Sequence, residues 1–133
     1  MKRKEITING DNFNDADGFR NEINRVLTIG EGSTWMTWYN LDAFNDFLHG
    51  GFGVHEYGEP IKLIWENANK SKNVLGHKAA TSYYENILKR CHPKNRTKLN
   101  ELLENAKQEK GDTLFDIIIH IIKEHEDIEL LLR

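Results

Sequence analysis

The sequence predicts an α/β domain in which a small parallel sheet of three strands is packed with helices. Residues 6–8, 61–65 and 127–132 have the length and apolar pattern of strands. Amphipathic segments with helical periodicity separate them, which is the order of parallel strands joined by helical crossovers. At 133 residues the chain is long enough to bury a core of its own, so we expect a single domain.

A change of periodicity near the N-terminus defines the first strand and the first helix. Ile6 and Ile8 alternate with polar neighbours, and residues 9–11 are turn formers. Apolar residues then recur at helical spacing, namely Phe19, Ile23, Val26 and Leu27. Either Asn14 or Asp15 can cap this helix by accepting a hydrogen bond from a free backbone N–H.

The second helix is predicted to start near Tyr39 or Asn40 and to end at Gly50 and Gly51, because glycine accepts the left-handed conformation that closes a helix. At about 100° per residue its apolar side chains share one side. Its polar side chains share the other side: Asp42, Asn45, Asp46 and His49. A glycine-rich loop, residues 50–60, follows.

The second half of the chain alternates between apolar strands and amphipathic helices. Residues 61–65 and 127–132 are nearly continuous in apolar character, which is typical of interior strands. By periodicity alone, residues 114–122 could be a buried strand. We predict a helix because Thr113 with Asp116 offers a capped start, and because the polar residues form a single stripe at helical spacing, namely Asp116, His120, Lys123, Glu124 and Asp127. Two further helices lie within residues 76–111.

Charge is divided along the chain, although the net charge is only -3. Residues 26–61 carry five acids and no lysine or arginine, and they include Trp35 and Trp38. An anionic face with aromatic edges suits a cationic partner. Residues 67–98 carry eight basic residues and one acid, which we interpret as solvated helix faces because no aromatic residues are interleaved with them in the manner of a nucleic-acid site.

Several features predict a cytoplasmic protein without a membrane partner. Cys91 is the only cysteine, so no internal disulfide can form. The N-terminus lacks the apolar core of a signal peptide, and no segment has the length of a transmembrane helix.

Residues 40–50 read NLDAFNDFLHG, which resembles the second-helix signature of the barstar family of ribonuclease inhibitors. The match consists of an Asn-Leu-Asp-Ala start, a second Asp four residues after the first, then Leu and Gly. Residues 6–10 resemble the family's first strand and turn, residues 61–65 its central strand, and residues 127–132 its last. The resemblance implies a three-stranded barstar-like domain with an extra helical insertion at about residues 70–111.

The resemblance also implies a function and a site. Family members block the cationic active site of a small ribonuclease with acids that replace RNA phosphates. By match to the motif, Asp42 and Asp46 take the two acidic contact roles. The end of the helix takes the adjoining role, through His49, Gly50, Gly51 and Phe52. We therefore predict a bacterial, cytoplasmic immunity protein or antitoxin whose partner is a small basic ribonuclease.

The sequence departs from the family pattern at the aromatic positions. The family often has an aromatic residue between the two acids, where this chain has Asn45. Its aromatic contacts could have moved to Trp35 or Trp38. A contact acid of the family's last helix has no secure equivalent, although His120 and Glu124 lie in the neighbourhood.

Structural alternatives exist for the candidate residues. Asp42 could complement the helix dipole near the N-terminus of its helix. Asp46 lies beyond the first turn and repels Asp42 at the i,i+4 spacing, so a binding role explains it better. The six histidines show no metal-ligand spacing, and we predict no metal and no cofactor.

Two other functions remain as alternatives. A drifted barstar-like scaffold could bind RNA or another protein through the basic helical segment. An enzyme using His49 and His55 ranks last, because no nucleophile or oxyanion donor is evident, and we predict that the protein is not an enzyme. The oligomeric state is left open.

Overall fold

The computed structural model describes residues 3–28, 41–90 and 92–133, which form three strands and six α-helices. The strands are β1 (Lys4–Asn9), β2 (Ile61–Glu66) and β3 (Ile128–Leu132). The helices are α1 (Ala16–Leu27), α2 (Asp42–His49), α3 (Ala68–Val74), α4 (His77–Leu88), α5 (Arg96–Lys107) and α6 (Leu114–Lys123). Short 3-10 helices, Gly10–Asn12 and Pro93–Asn95, precede α1 and α5. The predicted α/β class is confirmed.

The sheet has the order β1-β2-β3, and both pairings are parallel. Leu63 in β2 is in register with Ile6 in β1 and with Leu130 in β3. Leu63, Ile64 and Trp65 are buried in succession, as expected for a central strand covered on both faces. The three-stranded parallel sheet predicted from the sequence is confirmed.

Strand β3 differs from its predicted place in the interior of the sheet. Within the described sheet it pairs only with β2, so it forms an edge. Leu132 is 40% exposed, and Glu129 is exposed as well. The prediction of an interior strand was wrong because a continuous apolar run does not by itself distinguish a central strand from an edge strand with one covered face.

Aromatic packing around Trp65 joins the helices to the sheet. The Trp65 ring stacks on Phe19 of α1 with 5.3 Å between centroids, and it lies 5.1 Å from Phe115 of α6. Its Nε1–H donates to the Ser71 hydroxyl across 3.0 Å. Phe44 of α2 contacts Phe19 edge to face at 6.0 Å. The apolar side of α2 is therefore anchored in the core, which turns its polar side outward.

Two helix starts agree with the capping residues expected from the sequence. Asp15 caps α1 by accepting from the backbone N–H of Gly18 across 2.7 Å. Thr113 caps α6, and a reciprocal bond from its backbone N–H to Asp116 completes a capping box. The helix predicted over residues 114–122 is thus confirmed, since a capping box satisfies two backbone donors that a strand would pair with a neighbouring strand.

Helix α2 begins at Asp42 and ends at His49. The predicted start at Tyr39 or Asn40 lies outside the described residues. The predicted end is confirmed, because Gly50 has a φ of +96° and is the C-cap of α2.

Three helices connect β2 to α6, and the sequence predicted two of them. Helix α3 was missed because its segment is mostly polar and buries only Ala68 and Ser71. Helices α4 and α5 pack against each other, and α4 also packs against α6. A family insertion at about residues 70–111 stays a prediction.

Candidate functional site

The outer side of α2 carries the two acids singled out from the sequence. Asp42 and Asp46 are exposed, whereas Asn45 and His49 between and after them are half-buried. Phe44, Phe47 and Leu48 on the opposite side are buried. The helix therefore presents two carboxylates, one turn apart, from a rigid apolar base.

A cavity of about 690 Å³ opens beside the first turn of α2. Its walls include Asp42 and Asn45 together with Tyr83 of α4 and the cationic side chains of Arg90 and Lys98. Burial raises the pKa of Tyr83 to about 12, and neighbouring negative charges, Asp42 among them, add to the rise. Asp42 thus acts electrostatically on α4 as well as contributing to the exposed face.

Asn45, between the two acids, is held by a histidine from a distant part of the chain. The Nε2–H of His125 donates to the Asn45 Oδ1 across 2.7 Å. His125 is 7% exposed. Burial lowers the pKa of His125, and the charge of His49 lowers it further, against opposing effects of Asp127 and Glu124. A neutral imidazole therefore fixes the Asn45 amide on the helix face.

His49, at the last position of α2, lies between two rings. The Tyr57 ring stacks on it with a centroid separation of 5.7 Å and an interplanar angle of 25°. On another side the His125 ring contacts it edge to face at 4.5 Å. His49 thus connects the face of α2 to the loop that follows and to the turn after α6.

Gly50 lets the loop after α2 fold tightly back on the helix end. A Cβ at Gly50 would lie only 2.3 Å from the backbone oxygen of Glu56, where no real side chain fits. Backbone bonds of 2.8 Å run from Gly51 N–H to the His55 carbonyl and from Gly58 N–H to the His49 carbonyl. Gly50 is itself buried. It contributes to the site because its missing side chain allows the backbone at Glu56 to approach the end of α2.

Gly51 and Phe52, also predicted as site residues, have different surroundings. Gly51 is exposed. Phe52 is half-buried, and its ring packs edge to face on Phe47 with 4.7 Å between centroids. Phe52 therefore packs the loop against the apolar side of α2.

The model of the family described as Barstar (barnase inhibitor) matches residues 3–122, nearly the whole chain. The chain belongs to the barstar family. Comparison with curated proteins finds no match. Members of the barstar family are protein inhibitors of ribonucleases such as barnase, and they are not enzymes. The resemblance drawn from residues 40–50 is confirmed.

Glu124 and His120, the two residues in the neighbourhood expected for a contact acid of the last helix, have different surroundings. Glu124 directly follows α6 and lines the cavity beside Asp42 and Asn45. His120 is exposed on α6 and is not among the residues that line that cavity. The structure thus places Glu124, and not His120, next to the acidic face.

The structure adds two residues that the sequence did not indicate, His125 and Tyr57. His125 lies 80 positions from Asn45 in the chain, so no local pattern could connect the two. Tyr57 is 76% exposed yet ordered against His49. The sequence signal that could have indicated Tyr57 is its position within residues 26–61, the acidic stretch without lysine or arginine.

The two tryptophans predicted to contact the partner, Trp35 and Trp38, lie outside the residues that the structure describes. Their role at the barstar-family interface stays a prediction.

Some of the basic side chains of residues 67–98 have structural contacts. Lys70 Nζ donates to the Gly10 carbonyl across 3.1 Å, and Lys72 Nζ lies 5.9 Å from the centre of the Phe115 ring. Arg90 and Lys98 border the cavity that also contains Asp42. Every basic residue of this segment except Lys70 is nonetheless exposed, which agrees with the interpretation of solvated helix faces.

Within residues 3–28, 41–90 and 92–133, no cluster of three or more histidine, cysteine, aspartate or glutamate side chains could hold a metal ion. In the same residues, no helix is both long and apolar enough to cross a membrane.

Proposed function

We propose that this barstar-family protein is a stoichiometric inhibitor of a small ribonuclease, with α2 and its flanking loops blocking the cationic active site. Family membership supports the class of partner. Asp46 supports the mode of binding. It is exposed in the middle of α2, a helix whose opposite side is buried in the core. The ion pairs among the described residues do not include Asp46.

An acid in this position is better explained by a partner than by the fold. Asp46 lies one turn after Asp42, and like charges at this spacing cost isolated helices a few tenths of a kcal/mol. Asp46 is also too far from the helix N-terminus to gain much from the dipole. A ribonuclease site is lined with cations that neutralise phosphate, so it offers the compensating charge that α2 lacks at this position.

The surroundings of Asp46 also favour tight binding, because they are ordered before the partner arrives. Phe47 and Leu48 fix the neighbouring positions in the core, and His125 holds Asn45 by a 2.7 Å hydrogen bond. A preformed face loses less conformational entropy on association than a flexible one. On the basis of family membership, we also propose that the protein acts as an immunity protein or antitoxin in the cytoplasm of a bacterium.

Titration of active ribonucleases with the purified chain tests this function. Barnase and a panel of small basic ribonucleases, including any that a neighbouring reading frame encodes, would be assayed for RNA cleavage. We expect at least one enzyme to lose activity linearly and completely at one equivalent of the chain, and a nucleoside monophosphate to compete with the inhibitor. Undiminished cleavage by every enzyme at an excess of the chain would refute the proposal.

A further inference from the structure

Tyr57 is the most solvent-exposed large side chain with an apolar body among the described residues, at 76% exposure. Monomeric proteins expose single aromatic side chains often, so exposure alone indicates nothing. Tyr57 differs from such residues because one face of its ring is stacked on His49, with 5.7 Å between centroids. The opposite face is therefore presented to solvent in a fixed orientation.

The loop that carries Tyr57 is tied down on both sides of the ring. The backbone N–H of Gly58 donates to the His49 carbonyl across 2.8 Å. The N–H of Glu56 donates to the Glu59 carboxylate across 2.9 Å, and the N–H of Glu59 returns a 3.0 Å bond to the Glu56 carbonyl. These bonds order the backbone immediately before and after Tyr57, so the ring is positioned without a partner.

The charge around this ring is anionic on the side of α2. Asp46 lies three residues before His49, which makes the two side chains neighbours on the helix surface. Residues 41–61 contain four acids and no lysine or arginine. Lys4 reaches the loop from β1, where it donates to the Val54 carbonyl and lines a pocket with Glu56 and Glu59. Tyr57 is not among the residues that line this pocket.

We propose that Tyr57 is a further partner-contact residue, whose solvent-facing ring face, opposite His49, receives an arginine side chain of the ribonuclease. A guanidinium group is planar, so it can stack on a tyrosine face and still pair with a carboxylate at its edge. A lysine ammonium is compact and strongly hydrated and cannot stack in this way. The exposed ring face of Tyr57 within this acidic segment thus selects arginine over lysine.

This inference rests on the proposed function for the identity of the partner, but its test does not require a ribonuclease. Hexa-arginine and hexa-lysine peptides would be titrated into the isotope-labelled chain at low salt, and their affinities measured from NMR shifts. Variants Tyr57→Ala and Tyr57→Phe would be compared with Leu132→Ala, which removes an exposed apolar side chain from the edge strand. The same spectra show whether each variant is folded.

We expect the wild-type chain to bind hexa-arginine more tightly than hexa-lysine. Tyr57→Ala should weaken hexa-arginine binding about two- to fivefold and leave hexa-lysine binding unchanged. Tyr57→Phe and Leu132→Ala should behave as wild type, because the proposed contact requires the ring and not the hydroxyl group.

The inference is overturned if Tyr57→Ala binds hexa-arginine as tightly as wild type, or if it weakens both peptides equally. Neither outcome affects inhibition of a ribonuclease through Asp46. Conversely, a Tyr57-dependent preference for arginine in a chain that inhibits no ribonuclease would leave the contact in place and refute the proposed function alone.

Discussion

His125 donates a 2.7 Å hydrogen bond to Asn45, which links the turn after α6 to the residue between the two acids of α2. The bond crosses 80 residues of sequence. It joins an element that precedes the last strand to the surface that we propose contacts the partner. The conformation of the site therefore depends on a side chain that contributes no charge to it.

The protonation of His125 should affect the stability of the fold. Burial and the charge of His49 lower the pKa of His125 below its ordinary value of 6.5. The unfolded chain therefore binds a proton at a higher pH than the folded chain does. The stabilisation from the neutral imidazole is complete above about pH 6.5 and is lost as pH falls through the lower pKa of the folded state.

We expect the free energy of unfolding, measured by urea denaturation, to fall as the pH drops below the ordinary histidine pKa of 6.5. His125→Gln keeps an amide donor near the Asn45 oxygen and cannot titrate, so the fall should be smaller in this variant. Identical pH profiles for the wild-type chain and for His125→Gln would show that His125 is not the group responsible.

Glu22 is a second buried group with a predictable contribution to stability. It is 3% exposed and accepts hydrogen bonds from the Asn9 backbone N–H, the Asn12 amide and the Arg25 guanidinium, at 2.8 to 3.0 Å. Burial alone would raise the pKa of Glu22, but the bonds from Arg25, Asn9 and Asn12 outweigh it and lower the pKa below the ordinary 4.5.

Replacing Glu22 by alanine should destabilise the fold by about 1–3 kcal/mol, because it leaves the partly buried N–H of Asn9 without its acceptor. The stabilisation by the carboxylate is complete above pH 4.5 and is lost below it, so the difference between the two chains should shrink in acid. Glu104→Ala removes an exposed acid paired with Lys107 at 3.7 Å and should cost at most about 1 kcal/mol. Equal losses in both variants at pH 7 would contradict the account.

The close approach at Gly50 predicts a difference between two glycine substitutions. Gly50→Ala places a Cβ at 2.3 Å from the Glu56 oxygen and also forces a positive φ on alanine. Gly58→Ala has a positive φ as well, but nothing lies within 4 Å of its Cβ. Thermal denaturation should therefore show a loss of about 1–2 kcal/mol for Gly58→Ala and a larger loss for Gly50→Ala. Similar losses in the two variants would mean that the loop can move away from α2.

The sequence predicted the fold well because most elements are defined by local periodicity and caps. The capping pair of Thr113 and Asp116 identified α6 despite its strand-like composition. Alternation and apolar runs identified the three strands. The polar helix α3 carried too few apolar side chains to be recognised, and the edge position of β3 depends on strand order, which local sequence does not encode.

The candidate site was predictable only in its charged part. The spacing of Asp42 and Asp46 gives their common exposed face directly. The contacts that order this face depend on chain topology: His125 meets Asn45 across most of the domain, and Tyr57 reaches His49 through a loop bend. Such contacts require the three-dimensional structure.

The central claim is tested most directly by comparing two variants, Asp46→Ala and Glu85→Ala. The quantity to measure is the dissociation constant of the complex between the chain and the ribonuclease that it inhibits. Both residues are exposed helix acids, but Glu85 lies on α4, outside the acidic stretch. Removing Asp46 should leave a buried cation of the enzyme unpaired and cost about 3–5 kcal/mol, a weakening of roughly 150- to 4,500-fold that appears mainly as faster dissociation. Glu85→Ala should change the constant less than about threefold. Equal effects of the two substitutions would contradict the assignment of α2 as the surface that blocks the active site.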